Sequence, residues 1–191
     1  EKFIAAGRPS SRQQSIAQRR EGYIASAVLA GETETRVDIQ TIELEGMTLR
    51  IVSPLNAPTL LPTIIYYYGG CFVSGGFATH DNQLRQLAYY GQCRVIAVQY
   101  RLAPEHTFPA AHDDAQRGAE IVWQHAERLG VDKQRITLAG DSAGGHLALV
   151  TALRLKRAGE WQPAQLILIY PMLDATAHFE SYIRNGHDYI I

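Results

Sequence analysis

The spacing of apolar residues changes period several times along the chain. In the first thirty residues they recur about every 3.6 positions, which predicts an amphipathic helix lying on a core. Segments 35–43 and 47–52 alternate between apolar and polar residues, and Glu45-Gly46 between them predicts the turn of an antiparallel hairpin. The run 63–68 is apolar on both faces, which is typical of a strand inside a sheet.

Beyond residue 80, helical and extended patterns alternate. The predicted helices are 81–90, 109–129 and 143–157, and the predicted strands are 94–99, 135–139 and 164–170. Such alternation gives a mostly parallel sheet with helices on both faces. The predicted fold class is therefore α/β.

The last predicted strand is apolar on both faces, although few residues follow it. Such a strand belongs in the middle of a sheet, because at an edge it would expose apolar side chains beside unpaired backbone groups. Segment 177–191 predicts no further strand and helix. We therefore expect the domain to continue beyond Ile191.

Composition excludes several classes of function. The 191 residues are 46% apolar and 19% charged, and 18 basic residues nearly balance 19 acidic ones, which argues against a nucleic-acid partner. No apolar run approaches the roughly 18 residues of a membrane helix, and no signal peptide is recognisable, so we expect a cytoplasmic protein without a membrane partner. The cysteines and histidines lack CxxC and HExxH spacing, so no metal site is predicted.

One motif indicates nucleophilic chemistry. Residues 140–144 read GDSAG, which matches the G-x-S-x-G pattern, and they lie where the predicted strand 135–139 turns into the helix 143–157. In that context a tight turn exposes the serine hydroxyl at the start of a helix. Ser142 is therefore the candidate nucleophile.

A glycine pair follows the earlier strand 63–68. Gly69 and Gly70 would let backbone N–H groups approach a substrate oxygen and form an oxyanion hole. Taken alone, the pair is more typical of a tight turn, and Gly75-Gly76 predicts a second one. The hypothesis of an oxyanion hole depends on Ser142 being close in the fold.

Together these stretches resemble the hormone-sensitive-lipase-like family of α/β-hydrolases, which includes acetyl esterases and carboxylesterases. The resemblance runs from about residue 64 to residue 174, with the motifs in the order and spacing of that family. The matching stretches are YYYGGCF at 66–72, YRLAPE at 100–105, FPAA at 108–111, DDA at 113–115, GDSAGG at 140–145 and YPMLD at 170–174.

The resemblance implies a role for several residues. Ser142 would be the nucleophile, and the backbone N–H groups of Gly69, Gly70 and Ala143 would donate to the oxyanion. Asp141, the residue before the nucleophile, would be structural.

The resemblance also implies the organisation of the chain and its ligands. Residues 1–34 would form an N-terminal helical cap segment over the acyl pocket, and 35–191 the N-terminal part of the α/β-hydrolase core. The substrate would be a small ester with a short acyl chain, and no cofactor would be needed. The sequence does not determine whether the protein forms a homo-oligomer.

Two positions depart from the pattern of the family. Tyr68 stands where the family has the histidine of its HGGG motif, and Cys71 stands where it has the third glycine. We expect a hole of altered shape, with Cys71 adding bulk beside the pocket. Cys71 is also an alternative nucleophile, but no base is placed for it.

A serine hydrolase of this fold uses a catalytic triad of a nucleophile, an acid and a histidine base, and the acid and the base have not yet been assigned. In this fold they follow the serine in the order acid then histidine, so we expect both beyond Ile191. His178 and His187 follow Ser142 too early to be the base, and Asp174 is left as an alternative acid. His146 is expected on a helix face. The other histidines precede the motif and are expected on the surface or in loops: His80, His106, His112 and His125.

The leading functional hypothesis is a carboxylic ester hydrolase that works through an acyl-serine intermediate. A non-catalytic protein that binds a small molecule on the same fold is the first alternative, since fold alone does not determine function. An amidase or peptidase is the second alternative, because the same triad chemistry serves amides.

The 191-residue chain expressed alone should be nearly inactive. Without a base, the Ser142 hydroxyl stays protonated and is a weak nucleophile. The measurement is hydrolysis of p-nitrophenyl butyrate, and readily measured turnover by this chain would contradict the prediction.

Overall fold

The computed structural model describes residues 13–174, 176 and 178–185. The helices are α1 (Ile16–Ala25), α2 (Phe77–Gly91), α3 (Ala110–Gln124), α4 (Ala126–Leu129), α5 (Ala143–Arg157) and α6 (Glu180–Asn185), with a 3₁₀ helix at Ser26–Ala30. The strands are β1 (Val37–Leu44), β2 (Met47–Pro54), β3 (Leu61–Tyr67), β4 (Arg94–Val98), β5 (Val131–Asp141) and β6 (Gln165–Ile169).

The strands form one sheet in the order β1-β2-β4-β3-β5-β6. β1 and β2 form the predicted hairpin, with Leu44 opposite Met47, and β2 pairs antiparallel with β4. β4, β3, β5 and β6 are parallel neighbours. The predicted α/β class is confirmed.

Helices cover both faces of the sheet, as two consecutive residues of β3 show. Successive side chains of a strand point to opposite faces. The Tyr66 hydroxyl accepts a hydrogen bond from Gln83 of α2, whereas the Tyr67 hydroxyl donates one to the Ala115 carbonyl of α3. α2 and α3 therefore lie on opposite faces, and β3 is buried between them.

The N-terminal helix differs from its prediction. α1 begins at Ile16, where Ser15 and Gln18 form a capping box, so the helix itself is present. Its expected burial is met only in part, because Ile16, Tyr23 and Ala27 are half-buried whereas Ile24 and Val28 are 54% and 80% exposed. Part of the predicted helical segment, residues 1–12, lies outside the described residues.

Element boundaries elsewhere differ in small ways. α2 begins at Phe77, four residues before the predicted start, and the predicted helix 109–129 is divided at His125 into α3 and α4. β6 is the end strand of the described sheet, and Leu166 and Ile167 are each 39% exposed there. In the described ranges, no helix has both the length and the apolar character needed to cross a bilayer.

Stability should depend on β3 far more than on the last helix. Ile65 is fully buried in β3, so Ile65→Ala should lower the free energy of unfolding by about 2–5 kcal/mol through lost apolar burial and a cavity. Ile183 of α6 is 77% exposed, and the matched Ile183→Ala change should stay within about 0.5 kcal/mol. Urea unfolding of both variants measures the difference, and similar losses would contradict this account.

Candidate active site

Ser142 occupies a strained turn between β5 and α5. Its φ and ψ are 51° and −116°, values that a residue with a side chain adopts at a cost of about 1–3 kcal/mol. The turn is tied to the segment after β6, because the Ser142 N–H donates to the Ile169 carbonyl at 2.9 Å and the Met172 N–H donates to the Ser142 carbonyl at 3.2 Å. The predicted strand, turn and helix around the candidate nucleophile are all present.

Close backbone contact explains why Gly144 must follow this turn. A Cβ atom at residue 144 would overlap the carbonyl oxygen of Tyr67 at the end of β3. The missing side chain lets the first turn of α5 lie directly against β3. As a result, the segment after β3 is brought next to Ser142.

That segment, residues 68–72, is named the oxyanion loop here because it carries two of the predicted oxyanion donors, Gly69 and Gly70. Gly70, Cys71 and Phe72 have φ values of 136°, 55° and 61°, three left-handed positions in succession. The Gly70 carbonyl accepts the N–H groups of Val73 and Ser74 at 3.1 and 3.0 Å, which turns the chain back on itself. Only the first of the three positions carries the glycine that such angles favour.

The three predicted oxyanion donors differ in availability. The Gly69 N–H already donates to Asp141 Oδ1 at 3.0 Å, so it is engaged and this geometry does not support its assignment as an oxyanion donor. The Gly70 N–H has no acceptor among the described residues, nor has that of Cys71. Ala143 is the first residue of α5 and its N–H has no intrahelical partner. The available donors are therefore at positions 70, 71 and 143.

Sequence reasoning missed the backbone of Cys71 as a candidate donor. The residue type drew attention to its thiol, while the relevant feature is the left-handed peptide at that position. The sequence did contain a signal for this donor, because Cys71 is the third residue after the predicted strand 63–68 and directly follows Gly69 and Gly70.

His80 and Asp141 form a buried hydrogen-bonded pair next to the turn at Ser142. His80 Nε2 is 3.2–3.3 Å from both carboxylate oxygens of Asp141, and the two residues are 3% and 4% exposed. His80 was expected on the surface or in a loop, and this is wrong, because α2 carries it into the interior. Its Nδ1 is 2.8 Å from Thr79 Oγ1, so both ring nitrogens have partners and neither is placed to take the Ser142 proton.

The Asp141 carboxylate is stabilised in its charged form. Burial by itself raises the pKa of Asp141, but hydrogen bonding to His80 and its charge, with the Tyr66 hydroxyl at 2.8 Å and the Gly69 N–H, outweigh burial. The pKa of this carboxyl therefore lies below its ordinary value. An anion is held within one residue of the candidate nucleophile.

No other predicted acid or base reaches Ser142. Asp174 accepts hydrogen bonds from the N–H and hydroxyl of Thr176 at 2.8 and 2.6 Å, a local turn that lowers the pKa of this carboxyl. His178 is exposed and His187 lies outside the described residues. Within the described part of the chain, no imidazole hydrogen-bonds the Ser142 hydroxyl.

Among the described residues, no cluster of three or more His, Cys, Asp or Glu side chains could hold a metal ion. A cavity of about 590 Å³ is lined by residues that include Arg20, Tyr68 and Leu102, and Ser142 is not among them.

Comparison with known proteins identifies the family. The family model for the alpha/beta hydrolase fold matches residues 64–191. The chain belongs to this family of α/β-hydrolases. The predicted resemblance to its hormone-sensitive-lipase-like branch is confirmed, since the relatives include carboxylesterases and acetyl esterases.

Two curated relatives and two solved structures illustrate the similarity. Carboxylesterase NlhH of Mycobacterium tuberculosis is 37% identical over 156 residues, which cover 80% of this chain and 49% of that protein. The ethyl acetate hydrolase of Pseudomonas putida is 36% identical over 181 residues, which cover 91% of this chain and 57% of that protein. This chain thus spans about half the length of the curated relatives it matches.

The hyperthermophilic esterase of the archaeon Pyrobaculum calidifontis superposes with a TM-score of 0.87 at 37% identity, over 100% of this chain and 63% of that one. A second solved structure is ester-hydrolase EH1AB1 from the metagenome of Lake Arreo, in complex with a derivative of bipyridine phosphonate. It superposes with a TM-score of 0.85 at 36% identity, over 97% of this chain and 61% of that one.

Tyr68, which replaces the histidine of the family motif, is held by stacking. Its ring lies 4.5 Å from that of Tyr100 at an angle of 23°, and the Tyr100 hydroxyl donates to the Tyr68 carbonyl at 2.6 Å. Helix α1 adds a second support, because Arg20 donates to the carbonyls of Val73 and Ala103 at 2.8 and 3.0 Å. The oxyanion loop of this α/β-hydrolase is therefore braced from both ends.

Two histidines, His112 and His146, form a pair near the nucleophile elbow, which is the turn at Ser142 between β5 and α5. His146 Nδ1 is 2.9 Å from the Met172 carbonyl, which can only accept, so this nitrogen carries a hydrogen. In the neutral ring Nε2 is then an acceptor for His112 Nε2, 3.0 Å away. His146 lies on a helix as expected, whereas His112, placed on the surface or in a loop by its sequence, is on α3 and half-buried.

This pair should make the protein less stable in acid. Burial, then the charges of His146 and Arg154, lower the pKa of His112, and Asp113 opposes them weakly. The unfolded chain therefore binds a proton before the folded one does, so stability is fully present above the ordinary histidine pKa of about 6.5 and falls below it. His112→Gln, which keeps a donor without titrating, should reduce the loss of urea midpoint between pH 7.5 and 5.5.

The exposed His106 provides the matched control. His106→Gln should leave the pH dependence of the urea midpoint as in the wild type. An equal pH dependence in the His112→Gln variant and the wild type would contradict the assignment.

Proposed function

We propose that the protein carrying this chain is a carboxylic ester hydrolase that acts on short-chain acyl esters through an acyl-enzyme on Ser142. The observation that carries the proposal is the left-handed Ser142 between β5 and α5, next to a loop with three successive positive φ values. A strained serine at a helix N-terminus beside unpaired backbone donors fits acyl transfer. The names of the relatives, carboxylesterase and ethyl acetate hydrolase, support the same reaction.

In the proposed reaction the Ser142 oxygen attacks the ester carbonyl carbon while a base takes its proton. The carbonyl oxygen becomes an oxyanion that the N–H groups at positions 70, 71 and 143 stabilise, each worth about 2.7–4 kcal/mol in the transition state. Collapse breaks the bond to the alkoxide, which leaves as the alcohol with that proton. Water then attacks the acyl-serine, so the acid is released and the serine hydroxyl is restored.

The acid and base of the proposed triad come after Ser142 in the chain order of this fold. In the described residues, the histidines with defined partners are committed elsewhere: His80 to Asp141 and Thr79, and His146 to His112 and Met172. Tests of catalysis therefore require the full-length protein.

The short acyl preference is supported by relatives named ethyl acetate hydrolase and acetyl esterase. Cys71 adds a further restriction in the proposal, because its exposed thiol replaces a hydrogen atom beside the oxyanion donors. The added volume should narrow the acyl or alcohol group that fits.

The test is covalent labelling of the full-length protein with a fluorophosphonate, which forms a stable adduct with an activated serine. Labelling and p-nitrophenyl acetate hydrolysis should both be abolished by Ser142→Ala, because the attacking oxygen is lost. Ser181→Ala on α6 is the matched control, since this serine is exposed, and it should leave both signals unchanged.

Absence of labelling in a folded full-length wild type would reject the hydrolase and favour the non-catalytic binding protein. Labelling with faster cleavage of an anilide than of the matching ester would favour the amidase or peptidase over the esterase.

A further inference from the structure

His80 and Asp141 form a buried pair of ionisable groups that the proposed reaction does not use. Burying ionisable groups is costly unless each is paired and hydrogen-bonded, and loss of one partner leaves the other uncompensated. Here His80 is 3% and Asp141 4% exposed, and Asp141 is the residue directly before Ser142 in the chain. A pair in this place calls for an explanation beyond folding alone.

The direction of the hydrogen bonds follows from the chemistry of the groups. An ionised carboxylate only accepts, so the Asp141 carboxylate receives hydrogens from three donors. They are the Tyr66 hydroxyl at 2.8 Å, the Gly69 N–H at 3.0 Å and His80 Nε2 at 3.2 Å. These donors belong to β3, the oxyanion loop and α2, so one carboxylate joins three separate elements to the elbow.

His80 is itself held in a fixed orientation. Thr79 Oγ1 bonds its Nδ1, and the rings of Tyr23 and Tyr68 both lie 5.9 Å from its centroid. Turning the ring to release Asp141 would break the Thr79 contact and meet these tyrosines. The imidazole therefore fixes the position of the carboxylate.

The oxyanion loop depends on this carboxylate. Asp141 holds the N–H of Gly69, and the next three residues have positive φ, a conformation that L residues adopt only when their surroundings enforce it. A transition-state oxyanion needs donors at about 2.7–3.1 Å, so a small shift of the loop weakens catalysis. A change at His80 would reach the donors through Asp141 and Gly69.

We propose that His80 is a positioning residue for acyl transfer, which holds the oxyanion loop against the nucleophile elbow by fixing the carboxylate of Asp141. This inference rests on the proposed esterase function. His80 does not touch the reacting atoms, and its effect is confined to the stabilisation of the oxyanion.

Two amide variants of the full-length protein distinguish the contribution of His80 Nε2 from that of His80 Nδ1. The glutamine amide extends about as far as Nε2, so His80→Gln keeps the donor to Asp141, whereas the shorter His80→Asn reaches only the level of Nδ1. His80→Asn should lower kcat for p-nitrophenyl acetate about 10- to 100-fold with KM within about twofold, less than the 10²–10³-fold loss of a whole donor. His80→Gln should stay within about threefold of wild type.

The inhibition constant (Ki) of a trifluoromethyl ketone tests the oxyanion hole directly, because a general loss of structure would not change Ki and kcat by the same factor. The ketone forms an adduct with the nucleophile whose oxyanion occupies the hole, so its Ki in His80→Asn should rise by the same factor as kcat falls. His125→Asn is the matched control, because His125 pairs with Glu45 on the β1–β2 turn, and it should change neither quantity. Melting curves confirm that each variant is folded at the assay temperature.

A folded His80→Asn variant with kcat and Ki near those of wild type would overturn the inference, as would equal losses in the two amide variants. If His80→Asn does not fold, His80→Gln decides: retained kcat and Ki support the role, and a loss beyond tenfold overturns it. A full-length wild type that neither cleaves the ester nor binds the ketone contradicts the proposed function, and this inference falls with it.

Discussion

The buried carboxylate of Asp141 is the interaction around which the site is organised. An anion excluded from water needs several donors, and here they come from β3, α2 and the oxyanion loop. Satisfying this one group brings together segments about 60 to 75 residues apart in the chain. Because Asp141 is directly bonded to Ser142, the same contacts also locate the candidate nucleophile.

Strain in the elbow and in the oxyanion loop is the second constraint. Ser142, Cys71 and Phe72 have positive φ values although each carries a side chain. Such angles cost about 1–3 kcal/mol each and persist only when a rigid surrounding structure enforces them. The parallel strands on either side of β3 supply that structure, since Ile65 and Tyr66 are fully buried between them.

Local signals in the sequence predicted the elements well. Helix α5 was predicted with its observed boundaries, because the glycines before it and the apolar spacing within it agree. The hairpin and its turn were predicted correctly, since Glu45 and Gly46 suit a turn with two positive φ angles and both have them. The serine motif needed no tertiary information, because strand, turn and helix are contiguous.

Contacts between distant residues could not be predicted in the same way. The partner of His80 is 61 residues away, and nothing in the segment around it distinguishes a buried imidazole from an exposed one. The apolar spacing of α1 suggested burial, but the helix is attached through the guanidinium of Arg20, which bonds carbonyls 53 and 83 residues away. Amphipathic spacing reports which residues share a helix face and carries no information on what covers that face.

The replacement of the family histidine by Tyr68 shows how the loop tolerates change. The Tyr68 side chain packs on Tyr100, while the backbone is held by contacts that do not involve that side chain. The Tyr100 hydroxyl binds the carbonyl of residue 68, and Asp141 binds the N–H of residue 69. Because these bonds are made to peptide groups, they do not depend on the side chain of residue 68, although its ring also packs against His80. A displacement of Asp141, in contrast, would reach the donors directly, since its carboxylate accepts the Gly69 N–H.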